Sequence, residues 1–379
     1  MTLTTAPRWQ AVYRIAAASP EEARARAFNI AVEQTIEYPY ELVEGTPFAE
    51  EICGQITDLI PAENGCWEAV ISYPTEAAGG ELVQFINMLY GNSSLQPGVR
   101  LTGVSLPDAL LRRYTGARYG YHGLRRRWHV PTGPVLMGVI KPLGHSTEEL
   151  AAMVYAMARG GIHTVKDDHN LHNQVWAAYE DRITRCVEAA RQANAQTGGH
   201  TAYLANVMAD GTELVERAYY AQEAGADGIM LSPSIAGWGI VRDLARREDF
   251  TLPILLHPAL SGPFIRREDT GIAAPIYNGL LPRLAGADGV IFTGGVGRFS
   301  FSAATCRATQ AACLSEDFAL PAVMPCAGGG VTRAALPALR DLYGANITLL
   351  IGGDLFRSGP DLTANVHALQ DEIDRVYGN

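Results

Sequence analysis

Gly160-Gly161-Ile162-His163-Thr164-Val165-Lys166-Asp167-Asp168-His169-Asn170 is a short apolar run that opens at a glycine pair and closes in a block of charged and polar residues. A run of this kind reads as a buried strand that delivers its C-terminal end to a site. In a barrel of parallel strands that end carries the chemistry, which makes Lys166, Asp168 and His169 the first candidates for a metal centre. Taken alone, the block also has a plainer reading as a solvated cluster of ions. The rest of the chain bears on the choice.

Downstream of residue 131 the rhythm is regular. Short apolar runs at 135–140, 162–165, 203–207, 228–231, 254–257, 289–292, 322–326 and 348–351 alternate with helical patterns. Eight strands alternating with helices over roughly 230 residues is the count and size of a (β/α)8 barrel. A doubly wound open sheet would carry its glycine-rich turn after the first strand. Here Ala327-Gly328-Gly329-Gly330 follows the seventh strand and Gly352-Gly353-Asp354 the eighth, where barrels bind phosphate through backbone N–H groups. Either cluster alone would be only a tight turn; the pair predicts an anion site.

Upstream, a strand is expected at 10–16 and a helix at 20–33, with Ser19 as N-cap, Pro20 in the first turn and Glu21 and Glu22 at the positive end of the dipole. Apolar or alternating runs follow at 35–43 and 66–73, then a helix at 81–90 and a Gly91-Asn92-Ser93-Ser94 turn. The mixed order is α+β. The expected α/β architecture is thus an N-terminal α+β (ferredoxin-like) domain over 1–125 and a C-terminal (β/α)8 TIM barrel over 126–379.

The 379 residues, 47% hydrophobic and 18% charged, suffice for two domains with a large core. The net charge of -10 and the dispersal of basic residues, apart from Arg125-Arg126-Arg127, argue against a nucleic-acid partner. No apolar run approaches the ~18 residues of a membrane helix, and the N-terminus lacks a basic-then-apolar leader, so no membrane partner and a cytoplasmic location are expected. Six cysteines without a CxxC pair indicate reduced, packed thiols.

Strand ends collect Lys141, Lys166 with Asp168 and His169, Asn206, and His257. After the sixth strand, Thr293-Gly294-Gly295-Val296-Gly297-Arg298 is a glycine-rich segment ending in a cation, as in a lid that closes on charge. Lysines at a barrel mouth act as bases when burial lowers their pKa, and a divalent cation on carboxylates stabilises an enolate oxygen. Proton removal next to a carbonyl is the natural reaction class. His257, followed by Pro258, is equally readable as a packed core histidine.

The segment Gly138-Val139-Ile140-Lys141-Pro142-Leu143-Gly144, together with 160–168, resembles the large subunit of ribulose bisphosphate carboxylase, and more closely its RuBisCO-like relatives (form IV). The likeness extends to Ala31-Val32-Glu33-Gln34-Thr35 and Gly91-Asn92, and so covers nearly the whole chain. The resemblance implies roles by position. Lys141 would act near the enolisation centre, Lys166 would be carbamylated by CO2 to become a ligand of Mg2+, and Asp168 would be a carboxylate ligand. His257 would be an active-site histidine and Arg298 would stand where a lid lysine is expected. Gly329, Gly330, Gly352 and Gly353 would bind phosphate. Glu33 and Asn92 would come from a neighbouring subunit, implying at least a homodimer.

Departures from the family pattern narrow the expectation. Leu143 directly follows Pro142 where carboxylases have a second lysine, and Arg298 replaces the lid lysine, an exchange that is not conservative at such a site. Carbon fixation is therefore not expected. Pro258, Phe292 and Gly328 align with an arginine, a histidine and a serine that bind the second phosphate, which implies a substrate with one phosphate. His169 takes the place of a carboxylate ligand, leaving a softer ion, a water-bridged Mg2+ or a weaker site open.

The leading expectation is a RuBisCO-like lyase or hydrolase that decarboxylates or hydrolytically cleaves a 3-oxo acid-sugar phosphate of the 3-oxo-isoapionate 4-phosphate type through a metal-stabilised enediolate. The alternative is an isomerase or enolase of methylthio-sugar phosphates, for which Phe292, Pro258 and Leu260 would supply an apolar pocket. A third reading is a barrel that binds a sugar phosphate without turnover; joint retention of Lys141, Lys166, Asp168 and His257 speaks against it.

Overall fold

The computed structural model describes residues 7–297, 299–316 and 319–378. The chain forms β1 (Arg8–Ala16), β2 (Gln55–Ala62), β3 (Cys66–Pro74) and β4 (Val99–Ser105), then β5 (Val135–Ile140), β6 (Thr164–Asp167), β7 (Ala202–Asn206), β8 (Gly228–Leu231) and β9 (Ile254–Leu256). A two-residue β10 (Gly271–Ile272) precedes β11 (Gly289–Thr293), β12 (Met324–Gly328) and β13 (Thr348–Ile351). Strands β5–β9 and β11–β13 close into an eight-stranded barrel in the order β11-β12-β13-β5-β6-β7-β8-β9, and the other five form a mixed sheet in the order β10-β4-β1-β3-β2. Among the described residues no helix is long and apolar enough to cross a membrane.

The two sheets follow different burial patterns because they are covered differently. Along β1 every second residue is buried, so Trp9, Ala11, Tyr13 and Ile15 face the N-terminal core while Gln10, Val12 and Arg14 stay partly exposed. All six residues of β5 are buried, as a parallel strand covered on both faces requires. The lower barrel interior is filled by Met137, Leu204, Met230, Leu255, Ile291, Met324 and Cys326. Tyr121, Leu124 and Trp128, from helix Gly120–Arg127 and its end, belong to the same cluster. Asp288 fastens that helix. Its carboxylate accepts the N–H groups of Tyr119 (2.7 Å), Gly120 (2.9 Å) and Ile254 (2.9 Å).

Helix Pro20–Glu33 lies where its N-cap predicts: the Ser19 hydroxyl accepts Glu22 N–H. The run at 35–43 is not a strand. The Thr35 hydroxyl bonds back to Ala31 O at 2.6 Å, Glu37 takes a positive φ of 45°, Pro39 lacks an N–H, and the chain coils into a 3-10 turn at Tyr40–Leu42. Three strands, β2, β4 and β10, have no counterpart in the sequence reading. β2 is an edge strand whose exposed Gln55, Asp58 and Pro61 mask any apolar period. β4 pairs with β1 and also receives β10 from the loop after the fifth barrel strand, with Gly271 opposite Arg100 and Ile272 opposite Leu101.

The second barrel strand begins two residues later than the apolar run indicates and includes Lys166 and Asp167. Alternation along a strand sends successive side chains to opposite faces. Lys166 points to the barrel interior, where Cys326 is a neighbour. Asp167 points outward to helix Tyr179–Thr197, where Arg182 meets it at 3.3 Å.

Candidate active site

A cavity of about 1010 Å³ opens at the C-terminal ends of the barrel strands. It is lined by Lys141, Lys166, Asp168, His169 and His257, and by Gly329, Gly330, Gly352 and Gly353. Nine residues singled out in the sequence therefore meet in one place. Arg298 lies outside the described residues. Glu33 and Asn92 are not part of the described lining; Asn92 Nδ2 donates to Glu33 Oε1 at 2.8 Å and to Glu37 Oε1 at 3.0 Å on the N-terminal domain.

The charged block is not a solvated cluster: Lys166 is 1% exposed and Asp168 7%. Its burial is made possible by Asp167, whose carboxylate accepts the Tyr203 hydroxyl (2.6 Å), Asn206 N–H (3.0 Å) and Arg182 Nε (3.3 Å). Arg182, itself fully buried, also donates to His172 O, Ala177 O and Leu171 O. The Asn206 amide donates to the carbonyls of Asp168, His169 and Leu171. Asn206 is thus a staple of the loop that follows β6, not part of the described cavity wall.

Inside the cavity, Lys141 Nζ stands 3.2 Å from Asp168 Oδ2, and His169 Nδ1 stands 3.3 Å from Oδ1. Burial alone would raise the Asp168 pKa, but the Asn170 N–H at 3.1 Å and the charges of Lys141 and Lys166 outweigh it and hold the carboxylate below its usual range. Burial brings Lys166 down to about 8, against the pull of Asp168. His257 stacks on His169, ring centres 4.5 Å apart, and burial next to Lys166, His169 and Lys141 drives its pKa well below the usual value. The His257 Nδ1 accepts Ala259 N–H at 3.2 Å, so the neutral ring carries its proton on Nε2.

The glycine cluster after the eighth strand packs beside Lys141, and the one after the seventh against the lid segment. A Cβ on Gly352 would stand 3.0 Å from Val139 Cγ1 and 3.8 Å from Lys141 Nζ. Gly330, at φ +123°, packs on the lid segment, where a Cβ would come within 2.8 Å of Gly297 Cα. On the fifth- and sixth-strand side the wall holds Pro258, Leu260 and Phe292. Leu260 is held at φ 62°, a conformation that costs a β-carbon residue about 1–3 kcal/mol and marks functional loops.

Several lining residues carry no sequence signal. Arg266 donates from Nη1 to Phe299 O (2.9 Å) and Ser300 O (3.2 Å), tying the lid segment down. Arg357, Ser261 and Asn278 also line the cavity. None closes an apolar strand run, which is the signal by which the others were found.

The donor set fits a divalent cation under one condition. With Lys166 as an amine, no group of three or more His, Cys, Asp or Glu among the described residues is placed to hold a metal ion. Conversion of the amine to a carbamate would replace a cation by an oxygen donor beside Asp168 and His169, and the site would then fit.

The family model for the ribulose bisphosphate carboxylase large chain, catalytic domain, matches residues 121–371. The chain is 34% identical over 367 residues to 5-methylthioribulose-1-phosphate isomerase of Rhodospirillum rubrum, covering 95% of each protein. It is 28% identical over 319 residues to 2,3-diketo-5-methylthiopentyl-1-phosphate enolase of Bacillus pumilus, covering 83% of this chain and 78% of that one. The crystal structure of a Rubisco-like protein from Rhodopseudomonas palustris superposes with a TM-score of 0.89 at 30% identity, covering 99% of both chains. The barrel, its mixed-sheet N-terminal domain and these likenesses together show that the chain belongs to the ribulose bisphosphate carboxylase large-chain family, in its RuBisCO-like (form IV) branch.

Proposed function

We propose that this RuBisCO-like enzyme is an isomerase or enolase that moves a proton next to the carbonyl of a monophosphorylated ketose with an apolar far end, of the 5-methylthioribulose 1-phosphate class. The observation that carries the reading is the asymmetry of the cavity. Glycine backbone after the seventh and eighth strands offers one phosphate site, whereas the opposite wall holds the apolar Pro258, Leu260 and Phe292, with its one cation among the described residues, Arg266, engaged by Phe299 O and Ser300 O. The names of the relatives favour this reading over cleavage of an acid-sugar phosphate.

Lys141, beside Asp168 and Gly352, exchanges the proton with the carbon next to the carbonyl. It takes the proton from that carbon and returns it to a neighbouring position, so the reaction needs no co-reactant. His257 offers its Nε2–H to the oxygen on which charge develops. Lys166 as its CO2 carbamate, Asp168 and His169 would hold Mg2+; when bound, such an ion supplies electrostatic stabilisation to an enolate oxygen. Glu33 and Asn92 complete the cavity of a partner in a homodimer.

Phosphorus NMR of the protein with Mg2+ and bicarbonate tests the reading, with 5-methylthioribulose 1-phosphate and 3-oxo-isoapionate 4-phosphate in separate tubes. A new product resonance with the first is expected. Turnover of only the second would overturn the proposal in favour of the acid-sugar reaction.

A further inference from the structure

The cavity wall formed between the fifth and sixth barrel strands carries two polar side chains that the proposed reaction leaves without a role. Asn278 is 3% exposed and Ser261 4%, and both line the cavity. Among the described residues, neither the Asn278 carboxamide nor the Ser261 hydroxyl makes a hydrogen bond to the protein, and both face the cavity. Their backbones, in contrast, are engaged. Asn278 O accepts the Cys313 thiol at 3.3 Å, and Ser261 O accepts the N–H groups of Phe264 (3.0 Å) and Ile265 (3.2 Å).

Asn278 stands in a π-helical turn, Ile276–Leu280, all five residues of which are buried. Such turns insert a residue into a helix, re-aim a side chain and recur at functional sites. The turn is anchored at Gly279, where a Cβ would approach Ala312 Cβ to 2.5 Å. Neither group is among the fully enclosed polar atoms that lack a partner, so both open onto the cavity, where water satisfies them. A ligand that displaces this water and supplies a hydrogen bond keeps them satisfied, and an apolar ligand strips them at a cost of about 1–3 kcal/mol.

We propose that Asn278 and Ser261 are specificity-determining residues that hydrogen-bond a neutral hydroxyl on the substrate's carbon chain, next to its apolar end. The proposal rests on the reading of the cavity given above and refines its substrate class. Neither side chain carries charge, so neither is suited to neutralise a second phosphate or a carboxylate. A carboxamide offers both a donor and an acceptor, as does a hydroxyl on each side of the contact. The apolar Pro258, Leu260 and Phe292 line the same side of the cavity, and Arg266 on that side is engaged with Phe299 O and Ser300 O, so this pair offers neutral polar groups there.

Calorimetric titration with two unreactive ligands, pentyl phosphate and 4-hydroxypentyl phosphate, separates the proposal from the reaction. The wild-type protein is expected to bind the hydroxylated ligand at least about tenfold more tightly, a difference of ~1.4 kcal/mol. Asn278→Leu is expected to bind the two ligands within about threefold of each other, with affinity for pentyl phosphate retained. Ser261→Ala, a smaller change, is expected to lower the preference in the same direction. Equal affinities for both ligands in wild type and variants would overturn the role of this pair and leave the phosphate site standing. Binding of neither ligand by the wild type would overturn the reading of the cavity and this proposal with it.

Discussion

Lys141 Nζ and Asp168 Oδ2 are 3.2 Å apart across the mouth of the barrel, so the proposed proton carrier and the proposed metal ligand share one electrostatic contact. Lys141→Met is expected to lower turnover by about 10²–10⁴-fold, the usual worth of a general acid–base group. The Lys141 side chain is 39% exposed, and its loss should change stability by no more than ~1 kcal/mol. Product formation by phosphorus NMR and a urea titration check the two halves; a variant as active as wild type would remove Lys141 from the mechanism.

Lys166→Met should abolish CO2 uptake. With labelled bicarbonate and Mg2+, a carbamate carbon resonance is expected in the wild type and none in the variant. Absence of the resonance from the wild type would leave the metal site without its oxygen donor.

The pair formed by Arg182 and Asp167 is fully buried, with Arg182 Nε 3.3 Å from Asp167 Oδ2. Arg182→Met strands the carboxylate among apolar groups and is expected to cost about 3–5 kcal/mol in denaturant unfolding. A loss below ~1 kcal/mol would show that Tyr203 and the Asn206 N–H satisfy Asp167 unaided.

His163 predicts acid sensitivity. Burial, aided by Arg125, lowers its pKa to about 4, and its Nδ1 accepts Leu136 N–H at 2.9 Å. Above pH ~6.5 the ring is neutral in both folded and unfolded chains and contributes no pH dependence. Between ~6.5 and about 4 only the unfolded chain takes up the proton, so stability falls as pH falls, by up to ~1.4 kcal/mol per unit. His163→Asn keeps an acceptor and removes the titration; urea midpoints at pH 7 and pH 5 should then differ less than in wild type.

Gly330→Ala places a methyl group where Gly297 Cα now packs, at a backbone angle that alanine resists. The affinity for inorganic phosphate is expected to fall at least about tenfold, measured by titration of the phosphorus resonance. Unchanged affinity would move the anion site away from this loop.

The barrel was legible because each of its strands is buried on both faces and leaves a compact apolar run, as β5, β8 and β13 do at the residues expected. β2 was not legible, because an exposed edge strand has no such run. The run at 35–43 shows the converse: apolar content without a strand, in a segment that Pro39 and the Thr35 back-bond turn aside. In the site, residues directly after a strand were found, whereas Asn278 and Ser261 owe their place to a π-turn and a loop that no local pattern announces.

The sequence by itself determined the alternation of strand and helix, the family, and the glycine clusters after the last two strands, because these are written in local period and motif. Only the tertiary structure decided that Lys166 and Asp168 are buried, since that depends on Arg182, 15 residues beyond Asp167, swinging back on its helix to meet it. Only the tertiary structure, likewise, put the Asn278 amide and the Ser261 hydroxyl on the cavity wall beside Pro258, Leu260 and Phe292. Burial and pairing are sums over neighbours distant in the chain, and those neighbours are known only once the barrel has closed.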